Sequence, residues 1–473
     1  MCQNFWSVID VILVPLTNLI NLSIDNSVFP DCLKLARVIP IFKKGNSNDP
    51  ANYRPISLLP VFSKVFEKLI YRQLADYFES HNIFHPSQYG FRSNRSTTLA
   101  ITKLCGDVGV AFEQGHHVDA SFYDLTKAFD CLSHDVLTQK LVRYGLDNKS
   151  IRLLSTYLQG RVQFVDSGGS LSTVSSLSKG VPQGSVLGPL LFLVSVNDLP
   201  NSINSKVILF ADDTTTYSSG ADLHRLSDNS TLTTSTLHEW FTANQLSLNV
   251  DKTQSLLFSL RPHSFDTRPV KFLGVMLDTG LTWEAHALHL CTKLSKQLYV
   301  IRQLKGTVSR SVLMTAYYNI FHTHLGYAIL AWGHSAHTSE VFALQRKCIR
   351  IVSGLGFRAD CRNAFISLRV LTVPSLYVLA ALLYVKNNQS LYNVADHQYD
   401  TRNRGNFVSD FHRLYRSREA TNYYGIQFFN LLPQTIRQLP SARFSGVLRS
   451  FLVANAFYTV EEFRQKAAAV PLL

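Results

Sequence analysis

The chain has 473 residues, 46% hydrophobic and 17% charged, a balance that excludes a disordered chain and points to roughly two to four folded lobes around a sizeable core. Lys and Arg number 46 against 33 Asp and Glu, a formal net charge of +13; the surface therefore attracts polyanions, with nucleic acid, anionic membrane and simple solubility all consistent with the charge alone. The seven cysteines are scattered, with no C-x-x-C pair and no zinc spacing, which excludes a disulfide scaffold and indicates a reduced, intracellular protein, nucleus and cytoplasm both remaining open.

Near the start, "VIDVILVPLTNLI" is too short for a membrane span and carries Asp10, Pro15 and Asn18; it reads as an amphipathic helix and argues against a membrane partner. Residues 21–60 are loop-rich and basic, with a short strand "ARVIPIF" running into "KKGNSNDP". A helix follows at "VFSKVFEKLIYRQLADYF", where Val61, Val65, Leu69, Ile70 and Leu74 supply an apolar stripe. "QYGFRSNRSTTLAITKL" reads as a Gly/Arg/Ser turn entering another helix. From Ala120 to about Leu277, strand-like and helix-like segments mix without a βαβ rhythm, which predicts an α+β lobe rather than a doubly wound sheet.

Beyond that lobe the chain turns mainly helical. Ala287, Cys291, Leu294, Leu298 and Ile301 recur at three- and four-residue steps, with Lys293, Lys296 and Arg302 off the stripe. His286 with His289, and His322 with His324, have no second ligand pair nearby and read as polar positions on helices. Tyr399–Gly425 mixes Arg with Tyr and Phe, a composition suited to stacking on bases and contacting phosphates.

The chemistry concentrates in "VILFADDTTTY", where Asp212 and Asp213 stand side by side between two β-prone runs. Asp is a common turn residue, so an exposed hairpin tip is one reading. A divalent cation is the other, since hard metals take carboxylate oxygens and relieve repulsion between neighbouring carboxylates. A third carboxylate is available in "ASFYDLTKAFD", where the alternation of a strand leaves Asp124 at its end. Three carboxylates on adjacent strand ends suffice for two Mg2+ ions, the arrangement that serves in-line phosphoryl transfer.

The segments "DLTKAFD", "KGVPQGSVLGPLLFLVSVNDLP", "LFADDT", "NQLSLNVDKT" and "VKFLGVMLD", in that order, resemble the polymerase blocks of reverse transcriptases from LINE-like retrotransposons lacking long terminal repeats. Upstream, "VIPIFKKGNSNDPANYRPISLLPVFSKVFEKLI" and "QYGFRSNRSTTLAI" resemble that family's fingers; downstream, "LTWEAHALHLCTKLSKQL" resembles its thumb, and "AILAWG" with "IRIVSGLG" the helical region that follows. The resemblance implies an α+β right-hand polymerase: an N-terminal extension and fingers over 1–117, a palm with an antiparallel sheet over 118–277, a helical thumb and connection over 278–385, and a basic, aromatic C-terminal region over 386–473.

It also implies roles. Asp124, Asp212 and Asp213 are the expected metal ligands, for two Mg2+ ions with Mn2+ as a substitute. Phe210 stands where many reverse transcriptases have Tyr. Phe129 would lie under the incoming sugar and exclude a 2′-hydroxyl, Gln183 and Gly184 would sit against the nucleotide, and Lys252 would lie near the leaving pyrophosphate. Arg54 and Lys44, or its neighbour Lys43, are the expected grips on the triphosphate. Asp130 reads as a helix cap, and Ser185 is no nucleophile because its surroundings are neither G-x-S-x-G nor a Walker loop.

The expected activity is thus RNA-directed DNA synthesis: dNTPs added to a DNA primer or target on an RNA template. Family members commonly carry a nuclease, whereas this sequence starts with "MCQNFWSVID", almost at the fingers, and the piece before "VKFLGV" is short. The alternative expectation is therefore a truncated, catalytically inert polymerase-derived nucleic-acid-binding protein. Template, target and protein partners are not legible in the sequence.

Overall fold

The computed structural model of the chain describes residues 9–261, 268–394, 405–408, 414 and 421–469. They form two compact units, each assembled from separated stretches of sequence. The first comprises residues up to Arg95, Ser121–Tyr217 and Asn229–Gln254. In it β1 (Leu35–Phe42) pairs antiparallel with β2 (Tyr53–Leu58), setting Ile41 opposite Arg54. On its other side β1 runs parallel to β4 (Arg161–Ser167), which also carries the short strands β5 (Ser170–Leu171) and β6 (Ser175–Leu177). A parallel pair requires a long crossover, and the chain between these strands supplies it with helices.

The Val61–Ser80 helix buries Ser63, Phe66, Glu67, Ile70, Leu74 and Phe78. The aliphatic stripe expected from the sequence is out of phase at its start, for Val61 is 63% and Leu69 41% exposed. Aromatic packing sets the phase instead. Phe66 stacks on Phe29 with centroids 5.0 Å apart, and Phe29 meets Tyr157 edge-on at 5.0 Å. The Leu187–Val196 helix runs through the middle of this core and buries nine of its ten residues. A helix apolar on every side has no solvent face to spare.

A hairpin of β7 (Lys206–Phe210) and β8 (Asp213–Gly220) sets Phe210 opposite Asp213, which leaves Ala211 and Asp212 as its two-residue turn. With β3 (His117–Tyr123) and β9 (Gln254–Phe258) it makes a four-stranded sheet in the order β7-β8-β3-β9. Helices and sheets alternate irregularly, so the expected α+β character holds.

The second unit comprises Ser96–Ala120, Ser218–Asp228 and residues from Ser255 onward, and beyond the β10 (Val270–Phe272) and β11 (Val275–Leu277) hairpin it is helical. The Glu284–Leu304 helix buries His286, Ala287, Leu290, Leu294, Leu298 and Ile301, close to the expected stripe. His286 is no surface position: it is buried, its Nδ1 accepts from the Met276 amide at 3.4 Å, and burial pushes its imidazole down to about 4, so it is neutral. Gln345, fully buried on the Thr338–Ser353 helix, donates to Tyr317 Oη and the Leu371 carbonyl and accepts from the Val373 amide, each at 2.9 Å. One carboxamide thus ties three helical segments together. Most of the Tyr399–Gly425 stretch lies outside the described residues. Among the described residues no helix is long and apolar enough to cross a membrane, and the six described cysteines are unpaired.

Candidate active site

Asp124 follows directly on the last residue of β3, where the backbone leaves the sheet. Its position is fixed from outside the sheet. The Asn249 amide donates to the Asp124 carbonyl at 2.8 Å and the Thr126 amide donates to Ser247 at 2.8 Å, so 124–126 and 247–249 form a short antiparallel pair. The same segment turns into a single 3-10 turn, Val250–Lys252, and delivers the Lys252 ammonium to Oδ2 of Asp124 at 2.7 Å. Asp212 sits in the β7–β8 turn and Asp213 opens β8.

The three carboxylates act on one another. Burial raises the Asp212 carboxyl above its ordinary value; a backbone N–H opposes this, the Asp124 charge adds to it, and Arg54 and Lys43 work against it. Asp213 is pushed up to about 6, first by the protein crowded around it and then by the charges of Asp212 and Asp124, although its side chain keeps solvent contact. Repulsion of this kind is what a divalent cation relieves.

A cleft of about 980 Å³ opens over this corner, and Asp124, Asp212, Lys252, Asn249, Lys43 and Arg54 are among the residues that line it. Asp213 and Lys44 are not among them. The basic position that the structure brings to the cleft is Lys43: its amide donates to the Asn52 carbonyl at 2.9 Å and so extends the β1–β2 ladder beside Arg54, while Lys44 lies beyond it.

Phe129 also lines the cleft, half-buried, its ring 4.8 Å from that of Phe192. Gln183 lines it too, with Nε2 donating to Oδ1 of Asp130 at 3.0 Å and its carbonyl accepting from the Ser57 amide at 2.7 Å. Asp130 therefore orients Gln183 rather than capping a helix, and the cap of the His134–Arg143 helix is Ser133. Gly184 answers to the protein: its φ is +126°, and a Cβ there would stand 2.5 Å from the Ser57 carbonyl oxygen. Its smallness lets the 182–185 turn press against β2, and the turn in turn aims Gln183 at the cleft.

Sequence reasoning missed Glu67. Its carboxylate is fully buried, with Oε2 accepting from the amides of Val186 at 2.7 Å and Leu187 at 3.2 Å, and Oε1 accepting from Ser63 Oγ at 2.9 Å. It satisfies the orphan donors at the start of the Leu187–Val196 helix and complements its dipole. The signal was present: Ser63, Glu67, Ile70 and Leu74 recur at four, three and four residues, so a charge lies in the apolar phase.

The donor set at the cleft is all carboxylate, without His or Cys, which suits a hard divalent ion. Among the described residues no three such side chains close into a ready cage, because Lys252 engages Asp124 and Asp213 stands off the cleft lining. Asp124 and Asp212 at the cleft, backed by Asp213, still fit a cation shared with a polyphosphate ligand, whose oxygens complete the coordination.

The profile of the reverse transcriptase (RNA-dependent DNA polymerase) family matches residues 41–277, the stretch that holds every one of these residues. The chain is 32% identical to "Probable RNA-directed DNA polymerase from transposon X-element" of Drosophila melanogaster, over 69% of this chain and 38% of that protein. It is 30% identical to "Probable RNA-directed DNA polymerase from transposon BS" of the same fly, over 69% and 39%, and 28% identical to "RNA-directed DNA polymerase from mobile element jockey" of Drosophila funebris, over 72% and 40%. The chain thus spans about two fifths of the length of these relatives. An aspartate pair on a hairpin turn, a third aspartate at the end of β3 and a profile match running from β1 to β11 converge on one conclusion: the chain belongs to the reverse transcriptases of retrotransposons lacking long terminal repeats.

Proposed function

We propose that this chain is an RNA-directed DNA polymerase that extends a primer 3′-hydroxyl with dNTPs on an RNA template. The observation that carries the reading is the meeting of Asp124 and Asp212 with Lys43, Arg54 and Lys252 along one cleft, whose lining, with Asp130 and Lys127, holds three carboxylates and four cations. That is the charge pattern of a site for a metal-bound polyphosphate. Reverse transcriptases use divalent metal ions. Two Mg2+ ions, held by Asp124 and Asp212 with Asp213 adjacent, would lower the pKa of the primer hydroxyl and neutralise charge on the phosphates.

The chain's own residues do the rest. Arg54 and Lys43 grip the triphosphate, Lys252 supplies positive charge at the leaving pyrophosphate, and Gln183, oriented by Asp130, positions the nucleotide. Phe129, braced by Phe192, holds a wall against the sugar edge that rejects a 2′-hydroxyl. The template and primer bind chiefly through phosphates and shape, so affinity falls steeply with salt.

The test is primer extension by the purified chain on poly(rA)/oligo(dT) with Mg2+ and dTTP, beside Asp212→Ala. Extension that disappears in the variant supports the polymerase. Duplex binding without extension in a folded wild-type chain supports an inert nucleic-acid-binding remnant instead.

A further inference from the structure

The turn that carries the paired aspartates is held by a segment far away in sequence, Ser87–Gly90, which runs into the "QYGF" string of residues 88–91. This segment lies along β7 as a short parallel partner. The Leu209 amide donates to the Ser87 carbonyl at 2.9 Å, and the Tyr89 amide donates to the Leu209 carbonyl at 2.8 Å. Backbone pairing of this kind positions β7 but stops short of the turn.

The Gln88 side chain goes further. It is fully buried, and its Oε1 accepts from two amides, Gly90 at 2.8 Å and Ala211 at 3.3 Å. Ala211 is the residue before Asp212, and its φ of +55° lies in the left-handed region that a non-glycine residue enters only when held. Gly90 closes the other side: a Cβ there would lie 2.4 Å from the Ala211 nitrogen and 3.1 Å from the Phe210 carbonyl carbon. Only glycine allows the two backbones to approach so closely.

Gln88 Nε2 is buried and has no hydrogen-bond partner among the described residues. An apolar side chain of the same shape would fill this space without an orphan donor, so packing by itself does not account for a glutamine. The acceptor does. A turn bent at Ala211 sends Asp212 into the cleft while Asp213 begins β8, and a turn relaxed at Ala211 would redirect Asp212.

We propose that Gln88, with Gly90, is a positioning residue for Asp212, acting through the Ala211 amide; the proposal rests on the polymerase reading for its kinetic consequence but not for its geometry. Gln88→Met keeps the shape and removes the acceptor, and Gly90→Ala forces the two backbones apart. Each is measured in the full chain for single-nucleotide incorporation of dTTP, for primer–template affinity, and for Mn2+ affinity by electron paramagnetic resonance. Thermal unfolding confirms that each variant is folded. The expected result is a kcat lowered about 100-fold, with KM for dTTP and duplex affinity within about twofold and Mn2+ binding weakened.

Gln88→Glu retains the acceptor and is expected to restore Mn2+ affinity relative to Gln88→Met. If Gln88→Met does not fold, Gly90→Ala decides the matter through the same split. Unchanged kcat and Mn2+ affinity in a folded variant would overturn the positioning role. A wild-type chain that extends no primer, while Gln88→Met and Gly90→Ala still weaken Mn2+ binding, would overturn the polymerase reading and leave the positioning role standing.

Discussion

The Lys252 ammonium donates to Oδ2 of Asp124 at 2.7 Å, so the carboxylate at the end of β3 is already paired with a cation supplied by the chain itself. The side chains are 53% and 31% exposed, and such a pair contributes less than about 1 kcal/mol to stability. We expect Lys252→Met to leave the thermal midpoint nearly unchanged while lowering single-turnover incorporation about 100-fold. A large loss of stability with normal turnover would mark Lys252 as a structural residue.

The Asp213 carboxyl predicts an unusual pH dependence. In the folded chain it holds its proton to about 6, whereas its ordinary value is 3.8, so between these values the folded state binds more protons than the unfolded state. Stability then falls as pH rises through this window and is lowest above it, opposite to a salt-bridged carboxylate. Solvent at the exposed side chain screens the effect, so the slope is shallow. Urea midpoints in metal-free buffer from pH 4 to pH 7 should show Asp213→Asn gaining on the wild type as pH rises. Parallel curves would mean that Asp213 titrates normally.

Phe129 lines the cleft from a half-buried position against Phe192. Shortening it to Val keeps an apolar contact there at a stability cost of about 2 kcal/mol. If the ring excludes the 2′-hydroxyl, Phe129→Val should raise the ratio of kcat/KM for ribonucleotides over deoxynucleotides about 100-fold. Equal discrimination before and after the change would place the sugar elsewhere.

Glu67 ends in a buried carboxylate with three donors around it. Glu67→Gln replaces one carboxylate oxygen with an NH2 group, from which Ser63 Oγ can accept, but removes the negative charge that faces the Val186 and Leu187 amides at the helix start, and the loss should be about 1–2 kcal/mol of folding stability. Chemical denaturation measures it directly. Because the 182–185 turn leads into the helix that Glu67 caps, KM for dTTP should rise more than kcat falls.

Much of the site was legible because its parts are local. Asp212 and Asp213 sit between two runs that can only be strands, and Asp124 ends a third, so the carboxylates and the α+β setting followed from pattern. The Val61–Ser80 helix was legible as a helix, and Ile70 and Leu74 are buried as expected, but Val61 and Leu69 are exposed, because hydrophobic period alone does not say whether Val61 or Phe66 meets the core. The stack of Phe66 on Phe29 decided it, through a contact between residues 37 positions apart.

By itself, then, the sequence determined the order of the blocks, the identity of the acidic residues and the basic excess, since these depend on the chain and on short-range conformational preference. Tertiary structure alone decided that Lys43 and not Lys44 borders the cleft, that Asp130 orients Gln183, that Glu67 holds the Leu187–Val196 helix, and that Gln88 grips the Ala211 turn. Each of these is a hydrogen bond or an approach between segments remote in sequence. Their geometry depends on strand register and on where a buried group finds its partner, and no spacing within one segment records that.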